Sequence, residues 1–64
     1  MSVAENIKTK RVEKGMTQTE LAGIVQVDQS MICQIERGTK VPTILLANEI
    51  ARALGCTVDD FLSN

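Results

Sequence analysis

The sequence predicts an all-α fold: a compact domain of five short helices that contains a helix-turn-helix. Apolar residues recur at intervals of three and four, and no stretch alternates apolar and polar residues as a half-buried strand does. A residue of the helix-capping type, Ser, Thr or Asp, precedes each periodic stretch. The 64 residues are enough for one small core, so residues 1–64 are expected to form a single domain.

The first helix is predicted over residues 2–14. Ser2 and Glu5 have the spacing of a capping box, in which each side chain accepts a hydrogen bond from the other residue's backbone N–H. Gly15 is placed to end the helix in a left-handed conformation. The residues expected on its inward face are Val3, Ile7 and Arg11.

The second helix is predicted over residues 18–25, and Thr17 and Glu20 repeat the capping-box spacing in front of it. Gly23 in its interior costs about 1 kcal/mol relative to Ala. Ile24 falls on the outer side of the helix. The residues expected to face inward are Leu21, Ala22 and Val25.

The third helix is predicted over residues 29–37, with Asp28 as the N-cap whose short acidic side chain satisfies an orphan N–H. Only Gln26 and Val27 lie between Val25 and Asp28. A connection this short forces two helices to cross steeply, as they do in a helix-turn-helix. Gly38 follows the end of the third helix.

This third helix has two different faces. Its apolar stripe consists of Met31, Ile32 and Ile35, and its polar side of Gln29, Ser30, Cys33, Gln34 and Arg37. An amide-rich surface of this kind is suited to base edges, because Gln can bond adenine through two hydrogen bonds and Ser can bond any base. The same surface is equally consistent with an ordinary solvated helix face.

The fourth and fifth helices are predicted over residues 44–54 and 58–62, the fourth with Thr43 as its N-cap. The inward face of the fourth helix is expected to contain Ile44, Ala47, Ile50, Ala51 and Leu54. Leu45 or Leu46 then has to lie partly outside, which exposes more apolar surface than a small soluble monomer normally does.

Charge alone gives little guidance about the partner. The formal net charge is −1, but residues 1–40 contain six basic and five acidic residues, whereas residues 41–64 contain one and three. The more basic part of the chain therefore contains the two-helix motif. No apolar run is long enough to span a bilayer, and no signal peptide is recognisable, so a cytoplasmic protein without a membrane partner is expected.

The sequence offers little for catalysis or for a cofactor. There is no His, and the two cysteines, Cys33 and Cys56, lack metal-ligand spacing, so no metal is expected. There is also no nucleophile–base pair, no phosphate loop and no room for a buried small-molecule pocket. An enzyme is therefore not expected.

Motifs over nearly the whole chain carry a resemblance to a known family. They are Ile7-Lys8-x-Lys10-Arg11, Gly15-Met16-Thr17-Gln18-x-Glu20-Leu21-Ala22, Gln29-Ser30-x-Ile32-x-Gln34-Ile35-Glu36-Arg37-Gly38, Pro42, Ala51-x-Ala53-Leu54-Gly55 and Val58-x-x-Phe61-Leu62. The set resembles the Xre/Cro-type helix-turn-helix domains, and more closely the DNA-binding domains of lambdoid phage repressors and Cro proteins. The resemblance implies a lambda-repressor-like fold that binds double-stranded DNA with residues 29–37 in the major groove.

The resemblance also implies roles for particular residues. The base-contacting positions are Gln29, Ser30 and Gln34, and Cys33 lies on the same side, where it can touch a thymine methyl group. The phosphate-contacting or supporting positions are Gln18, Arg11, Arg37, Thr39 and Lys40. Arg11 and Glu36 are also expected to pair with each other, and for both residues this structural role is at least as well supported as contact with DNA.

Three positions depart from the family pattern: Gln26, Asp28 and Cys33, whose thiol can alternatively act as an oxidation sensor. Gln26 stands where the inter-helix turn usually has Gly, so a left-handed conformation there costs about 1 kcal/mol. Asp28 replaces the usual Ser or Thr, and it places a negative charge near phosphates unless it accepts a hydrogen bond from a cytosine amino group.

The leading hypothesis is a small transcriptional regulator that binds a palindromic operator as a homodimer. The dimer contact is expected from surplus apolar residues, namely Leu45, Leu46, Phe61 and Leu62, although the core is the better expectation for Phe61. The alternative is an antitoxin or adaptor whose main partner is another protein, with DNA binding secondary. Exposed Ile24 would favour that alternative.

Overall fold

Five helices form the part of the chain that the computed structural model describes, residues 2–62, and that part contains no strand. They are α1 (Val3–Glu13), α2 (Gln18–Val25), α3 (Gln29–Arg37), α4 (Ile44–Ala53) and α5 (Val58–Leu62). The predicted all-α, lambda-repressor-like architecture is confirmed. No helix among these five is long and apolar enough to cross a membrane.

Local capping chemistry begins α1 and α2 where the sequence predicts. The Ser2 hydroxyl accepts from the Glu5 backbone N–H at 3.1 Å, and the Glu5 carboxylate accepts from the Ser2 N–H at 3.0 Å. Thr17 and Glu20 form the same reciprocal pair at 3.0 and 2.9 Å. Each box satisfies two backbone donors, which explains why both helix starts are fixed by short-range sequence.

The prediction that the Asp28 side chain caps α3 is wrong. Asp28 occupies the N-cap position with an extended backbone, φ −69° and ψ 149°, but its side chain makes no capping hydrogen bond. The Met31 N–H, a donor that an N-cap side chain would normally receive, instead bonds the Asp28 backbone carbonyl at 3.0 Å. The first turn of α3 is therefore closed by the main chain, and the carboxylate is left on the surface.

The turn between α2 and α3 depends on one left-handed residue. Gln26 has φ 60° and ψ 48°, the conformation expected where the family usually has Gly. Through this turn the Val27 N–H reaches the Ala22 carbonyl at 3.0 Å, which closes the end of α2. Only three residues lie between Val25 and the first residue of α3, and α2 and α3 pack against each other.

The core lies between all five helices and is almost entirely aliphatic. Its buried members are Ile7, Leu21, Ala22, Val25, Ile32, Ile35, Ile50, Ala51, Leu54 and Phe61. Helix α1 packs on α3 and α5, and α4 packs on α2 and α5. Full burial of one large aliphatic side chain contributes about 1.5–3 kcal/mol, so this cluster positions α3 by hydrophobic contact rather than by its connections.

One expectation about burial in α4 is wrong: Ile44, predicted to face inward, is 82% exposed, whereas Ile50 and Ala51 of the same helix are buried. Phe61 is only 1% exposed and belongs to the core, which confirms the better of its two expectations and removes it from the dimer candidates. Leu46 is half-buried against that core, so of the four candidates Leu45 and Leu62 are the exposed ones.

A buried polar contact that the sequence analysis missed joins the two ends of the fold. Asn6 is buried in α1, and its side-chain amide donates to the Phe61 carbonyl of α5 at 2.7 Å. A buried amide is stable only when it is bonded, and this bond satisfies a carbonyl near the end of α5 at the same time. Asn6 therefore fixes α5 against α1.

Candidate nucleic-acid interface

Helix α3 presents an uncharged polar surface to solvent. Gln29, Ser30 and Gln34 are exposed, Cys33 is half-buried, and Arg37 is exposed at the last position of the helix. The opposite side of α3 is buried through Ile32, Ile35 and Glu36. The packing of that side fixes the rotation of the helix, so the four predicted base-contacting residues share the outward half of α3.

An ion pair under this surface joins α1 to α3. Arg11 Nε donates to Glu36 Oε2 at 2.6 Å, and Nη2 donates to Glu36 Oε1 at 3.0 Å. The third nitrogen, Nη1, donates to the Met16 carbonyl at 2.7 Å. The hydrogen bonds that Arg11 donates to the Glu36 carboxylate raise the pKa of Arg11 above its usual value, so the guanidinium stays charged.

This geometry bears on the two roles expected for Arg11. The residue is buried, and all three guanidinium nitrogens are engaged within the protein. These contacts fit a structural ion pair and leave little surface for a phosphate. They therefore favour the structural role expected for Arg11, and its contact with a phosphate stays a prediction.

A chain of hydrogen bonds continues from this ion pair to the outer surface. The amide nitrogen of Gln18 donates to Glu36 Oε1 at 3.1 Å, and the amide nitrogen of Gln29 lies 3.5 Å from the Gln18 amide oxygen. Gln18 is the first residue of α2, and Gln29 is the first residue of α3. The sequence analysis selected both glutamines but did not predict that they meet. Since a carboxamide has two N–H donors, Gln18 keeps one for an external acceptor.

The loop after α3 contains the remaining predicted residues. The Thr39 hydroxyl donates to the Gln34 carbonyl at 3.2 Å, so it supports the end of α3 instead of pointing a free donor outward. Its backbone N–H donates to the same carbonyl at 3.1 Å. Arg37 and Lys40 are both exposed beside it. Thr39 therefore supports the end of α3, whereas the side chains of Arg37 and Lys40 are exposed cations that can contact a ligand.

An apolar groove of about 580 Å³ adjoins this surface, because Arg37 and Lys40 also belong to its lining. It runs between the start of α1, the end of α3, the start of α4 and α5, and its lining includes Val3, Val41, Ile44 and Leu62. Val41 and Ile44 are 87% and 82% exposed. The sequence analysis missed Val41 because it lies in a loop, outside any periodic pattern, and missed the exposure of Ile44 because its spacing fits a buried face.

No site for a metal is evident in the part of the chain that the structure describes. Residues 2–62 contain no group of three or more His, Cys, Asp or Glu side chains that could hold a metal ion. Cys33 and Cys56 are free thiols, and burial raises the pKa of the Cys56 thiol, which disfavours its reactive thiolate form.

The comparison with known proteins agrees with this helix-turn-helix geometry. A helix-turn-helix family model matches residues 7–61. A protein of Methanothermobacter thermautotrophicus, described as an uncharacterized HTH-type transcriptional regulator, is 47% identical over 49 residues, which are 77% of this chain and 71% of that protein. Five such curated relatives are matched over 48% to 77% of their own length.

Two solved structures are similar over almost the whole described fold. The DNA-binding domain of the P22 C2 repressor superposes with a TM-score of 0.93 at 27% identity, covering 97% of this chain and 82% of that one. The biofilm master regulator SinR, solved in complex with DNA, gives a TM-score of 0.88 at 31% identity, covering 95% and 98%. With its family model, its relatives and its fold in agreement, the chain belongs to the helix-turn-helix family of transcriptional regulators, of the Xre/Cro type.

Proposed function

We propose that this chain is a sequence-specific repressor that binds a palindromic operator as a homodimer, with α3 in the major groove. The observation that carries the proposal is the hydrogen-bonded chain from Arg11 through Glu36 and Gln18 to Gln29. Side chains held in place before binding lose less conformational entropy when they contact a ligand. An ordinary solvated helix face has no need of such support, so the chain favours base contact by α3.

Specificity in this proposal comes from the first two turns of α3. Gln29 and Gln34 each offer a carboxamide that can bond an adenine edge through two hydrogen bonds, worth about 1–3 kcal/mol of discrimination. Ser30 offers a hydroxyl to either kind of base edge, and Cys33 offers an apolar contact to a thymine methyl group. These four side chains occupy the outward half of one helix, and the major groove admits a single α-helix.

Affinity comes from phosphate contacts at the edges of that surface. The free N–H of the Gln18 amide, together with Arg37 and Lys40, can bond the backbone of the duplex. Only the two cations displace counterions, so the affinity is expected to fall with salt at a slope of about −0.9 per neutralised phosphate. A net charge of −1 is compatible with this, because the cations lie beside α3 and act locally.

The homodimer is supported by the exposed apolar residues Val41, Ile44, Leu45 and Leu62. One domain presents one recognition helix, so reading a palindrome requires two copies with half-sites about one helical turn apart. A core this small leaves a monomer marginally stable, and burial of a shared apolar surface would add stability.

Selection from a random double-stranded DNA library tests the base contacts. The wild-type protein should enrich a palindrome with half-sites one turn apart, and the Gln29→Ala/Gln34→Ala double variant should not. Asn48→Ala is the matched control, because it removes an exposed amide from α4 and leaves α3 intact. If the wild-type protein enriches no sequence at moderate salt, the proposed function is wrong.

Sedimentation equilibrium at micromolar concentration tests the dimer. The wild-type protein should have twice the 7.0 kDa mass of the chain, and Ile44→Ser/Leu45→Ser should return it to the monomer. Ile24→Ser provides the control, since Ile24 is 56% exposed on α2 and does not line the groove. A wild-type mass of one chain, with non-cooperative operator binding, would overturn the homodimer.

Exposed Ile24 also favours the second candidate, a protein-interaction module of the antitoxin or adaptor type. An apolar side chain on α2 outside the groove is unexplained by either DNA contact or dimerisation. A pull-down that recovers a specific partner from wild-type protein, and loses it with Ile24→Ser, would support this candidate. Recovery that is the same for both proteins would contradict it.

A further inference from the structure

We propose that Asp28 is a further specificity-determining residue, whose carboxylate accepts a hydrogen bond from the amino group of a cytosine in each operator half-site. This inference rests on the proposed function, because it requires α3 to enter the major groove. It adds a base identity at a position where family members usually have a neutral hydroxyl. Three features of Asp28 carry it: a carboxylate that the fold does not use, its place on the surface, and the chemistry of the groove.

The carboxylate of Asp28 forms no hydrogen bond or ion pair within the described residues. It is exposed, it makes no capping hydrogen bond, and no ion pair or other side-chain hydrogen bond engages it within residues 2–62. The Met31 N–H, which could have donated to this carboxylate, already donates to the main-chain carbonyl of Asp28. The residue therefore keeps both carboxylate oxygens available to a ligand, unlike Glu36, whose carboxylate bonds Arg11 and Gln18.

The position of Asp28 is at the end of α3 that meets α2. It directly precedes Gln29, whose amide approaches the Gln18 side chain at 3.5 Å. The proposed function brings Gln29 to a base and Gln18 to a phosphate. In a helix-turn-helix the N-terminal residues of the second helix are the ones that contact base edges. Asp28 thus enters the groove together with Gln29.

A carboxylate can only accept hydrogen bonds, and this restricts the bases that it tolerates. In the major groove guanine presents two acceptors and thymine presents an acceptor and a methyl group. Adenine presents an amino donor, but its N7 acceptor lies beside that donor and repels an anion. Cytosine presents an amino donor without an adjacent acceptor of its own, so it is the base that fits.

The negative charge increases the selectivity of this contact. A carboxylate without a hydrogen-bond donor is repelled by nearby phosphates. A DNA sequence that lacks the cytosine amino group therefore loses the hydrogen bond and also suffers this repulsion. No other exposed carboxylate lies within residues 26–40, because the only other acid there, Glu36, is buried against Arg11. The effect is therefore attributable to a single side chain.

The test combines protein variants with base substitutions. Selection on a random library is run with the wild-type protein, Asp28→Ala and Asp28→Ser, and binding is then measured by titration on the selected operator. Replacing the cytosine by thymine in each half-site should weaken wild-type binding by roughly 5- to 150-fold per half-site. The same replacement should change the binding of Asp28→Ala and Asp28→Ser by less than about 3-fold.

Two controls separate folding and charge from base contact. Because Asp28 makes no capping bond, Asp28→Ala should leave the unfolding midpoint close to that of the wild-type protein. If Asp28→Ala lowers the midpoint, Asp28→Ser supplies a hydroxyl that can cap the helix and so restores a folded variant without the carboxylate. Glu49→Gln removes one exposed negative charge from α4 and should leave the cytosine preference intact.

The outcomes distinguish this inference from the proposed function. If the wild-type protein enriches no sequence, the proposed function fails, and with it the inference. If the wild-type protein enriches an operator and Asp28→Ala enriches the same one with equal preference at every position, only the inference is overturned. Uniformly tighter binding of Asp28→Ala without a change of preference would also overturn it, since the carboxylate would then act by repulsion alone.

Discussion

Arg11 and Glu36 form a two-pronged ion pair across 25 positions of the chain, with Nε–Oε2 and Nη2–Oε1 distances of 2.6 and 3.0 Å. Both side chains are largely withdrawn from solvent, 10% and 3% exposed. The pair bonds α1 to the buried side of α3, and Glu36 then accepts from Gln18. One buried carboxylate thereby links the core to the outward surface of α3.

Removal of either partner is expected to be strongly destabilising. Arg11→Ala and Glu36→Ala should each lower the free energy of unfolding by about 3–5 kcal/mol, because each leaves a buried charge uncompensated. The double variant Arg11→Met/Glu36→Leu should lose much less than the sum of the two. Urea denaturation followed by circular dichroism measures all three, and single-variant losses below about 1 kcal/mol would contradict the structural role.

Gly23 is expected to be replaceable with a gain in stability. It lies in the interior of α2, and a Cβ added there would have no heavy atom within 4 Å outside the adjacent chain. Gly23→Ala should therefore raise the free energy of unfolding by about 1 kcal/mol, through helix propensity and a less flexible unfolded chain. Gly55→Ala provides the opposite case in the same denaturation assay. Its φ is +71°, and the added Cβ would lie 3.1 Å from Lys14 Nζ, so this variant should be destabilised.

Gln26 is expected to carry backbone strain that Gly relieves. Its φ of 60° is the one positive value for a residue other than Gly in the described chain. Gln26→Gly should stabilise the protein by up to about 1 kcal/mol, because the left-handed conformation costs Gly nothing. Gln26→Val should destabilise it, since a β-branched side chain tolerates this region least. Equal unfolding midpoints for the Gly and Val variants would show that the turn relaxes instead of storing strain.

Acid should weaken the helix starts through the capping carboxylates. The hydrogen bond from the Thr17 backbone N–H holds the pKa of Glu20 below its ordinary value of 4.5. A lowered folded-state pKa stabilises the protein above pH 4.5, and this contribution is lost as the pH falls through the folded-state value. Glu20→Gln keeps a capping acceptor that does not titrate, so its stability should fall less than that of the wild-type protein between pH 6 and about pH 3.

Chemical denaturation at a series of pH values measures this difference. Glu49→Gln serves as the control, since Glu49 is exposed in α4 and caps no helix. The prediction is wrong if Glu20→Gln and the wild-type protein lose stability in parallel on acidification.

Helix boundaries were the part of the structure best predicted from sequence, because they depend on contacts three or four residues apart. The predicted bounds 18–25 and 29–37 are those of α2 and α3, and the Thr17–Glu20 box that begins α2 is present. The Gln26 turn also follows from local chemistry, because three residues between helices leave the chain few conformations. These features need no knowledge of the rest of the fold.

Burial at the edges of the core depended on the tertiary structure. Both Ile44 and Ile50 are assigned to the inward face of α4 by their spacing, yet Ile44 is exposed and Ile50 is buried. Periodicity identifies the side of a helix but not how far along it the neighbouring helix extends. In α5, which packs on α1 and α4, Phe61 is 1% exposed and Leu62 is 62% exposed.

The amino-acid sequence by itself determined the five helices, the capping boxes, the steep α2–α3 turn and the polar composition of α3, because each is set by residues close together in the chain. Only the tertiary structure decided that Gln18 meets Gln29, that all three guanidinium nitrogens of Arg11 are bonded within the protein, and that Asp28 keeps a free carboxylate. Those contacts depend on the distances between helices brought together by the core, and no local pattern encodes such distances.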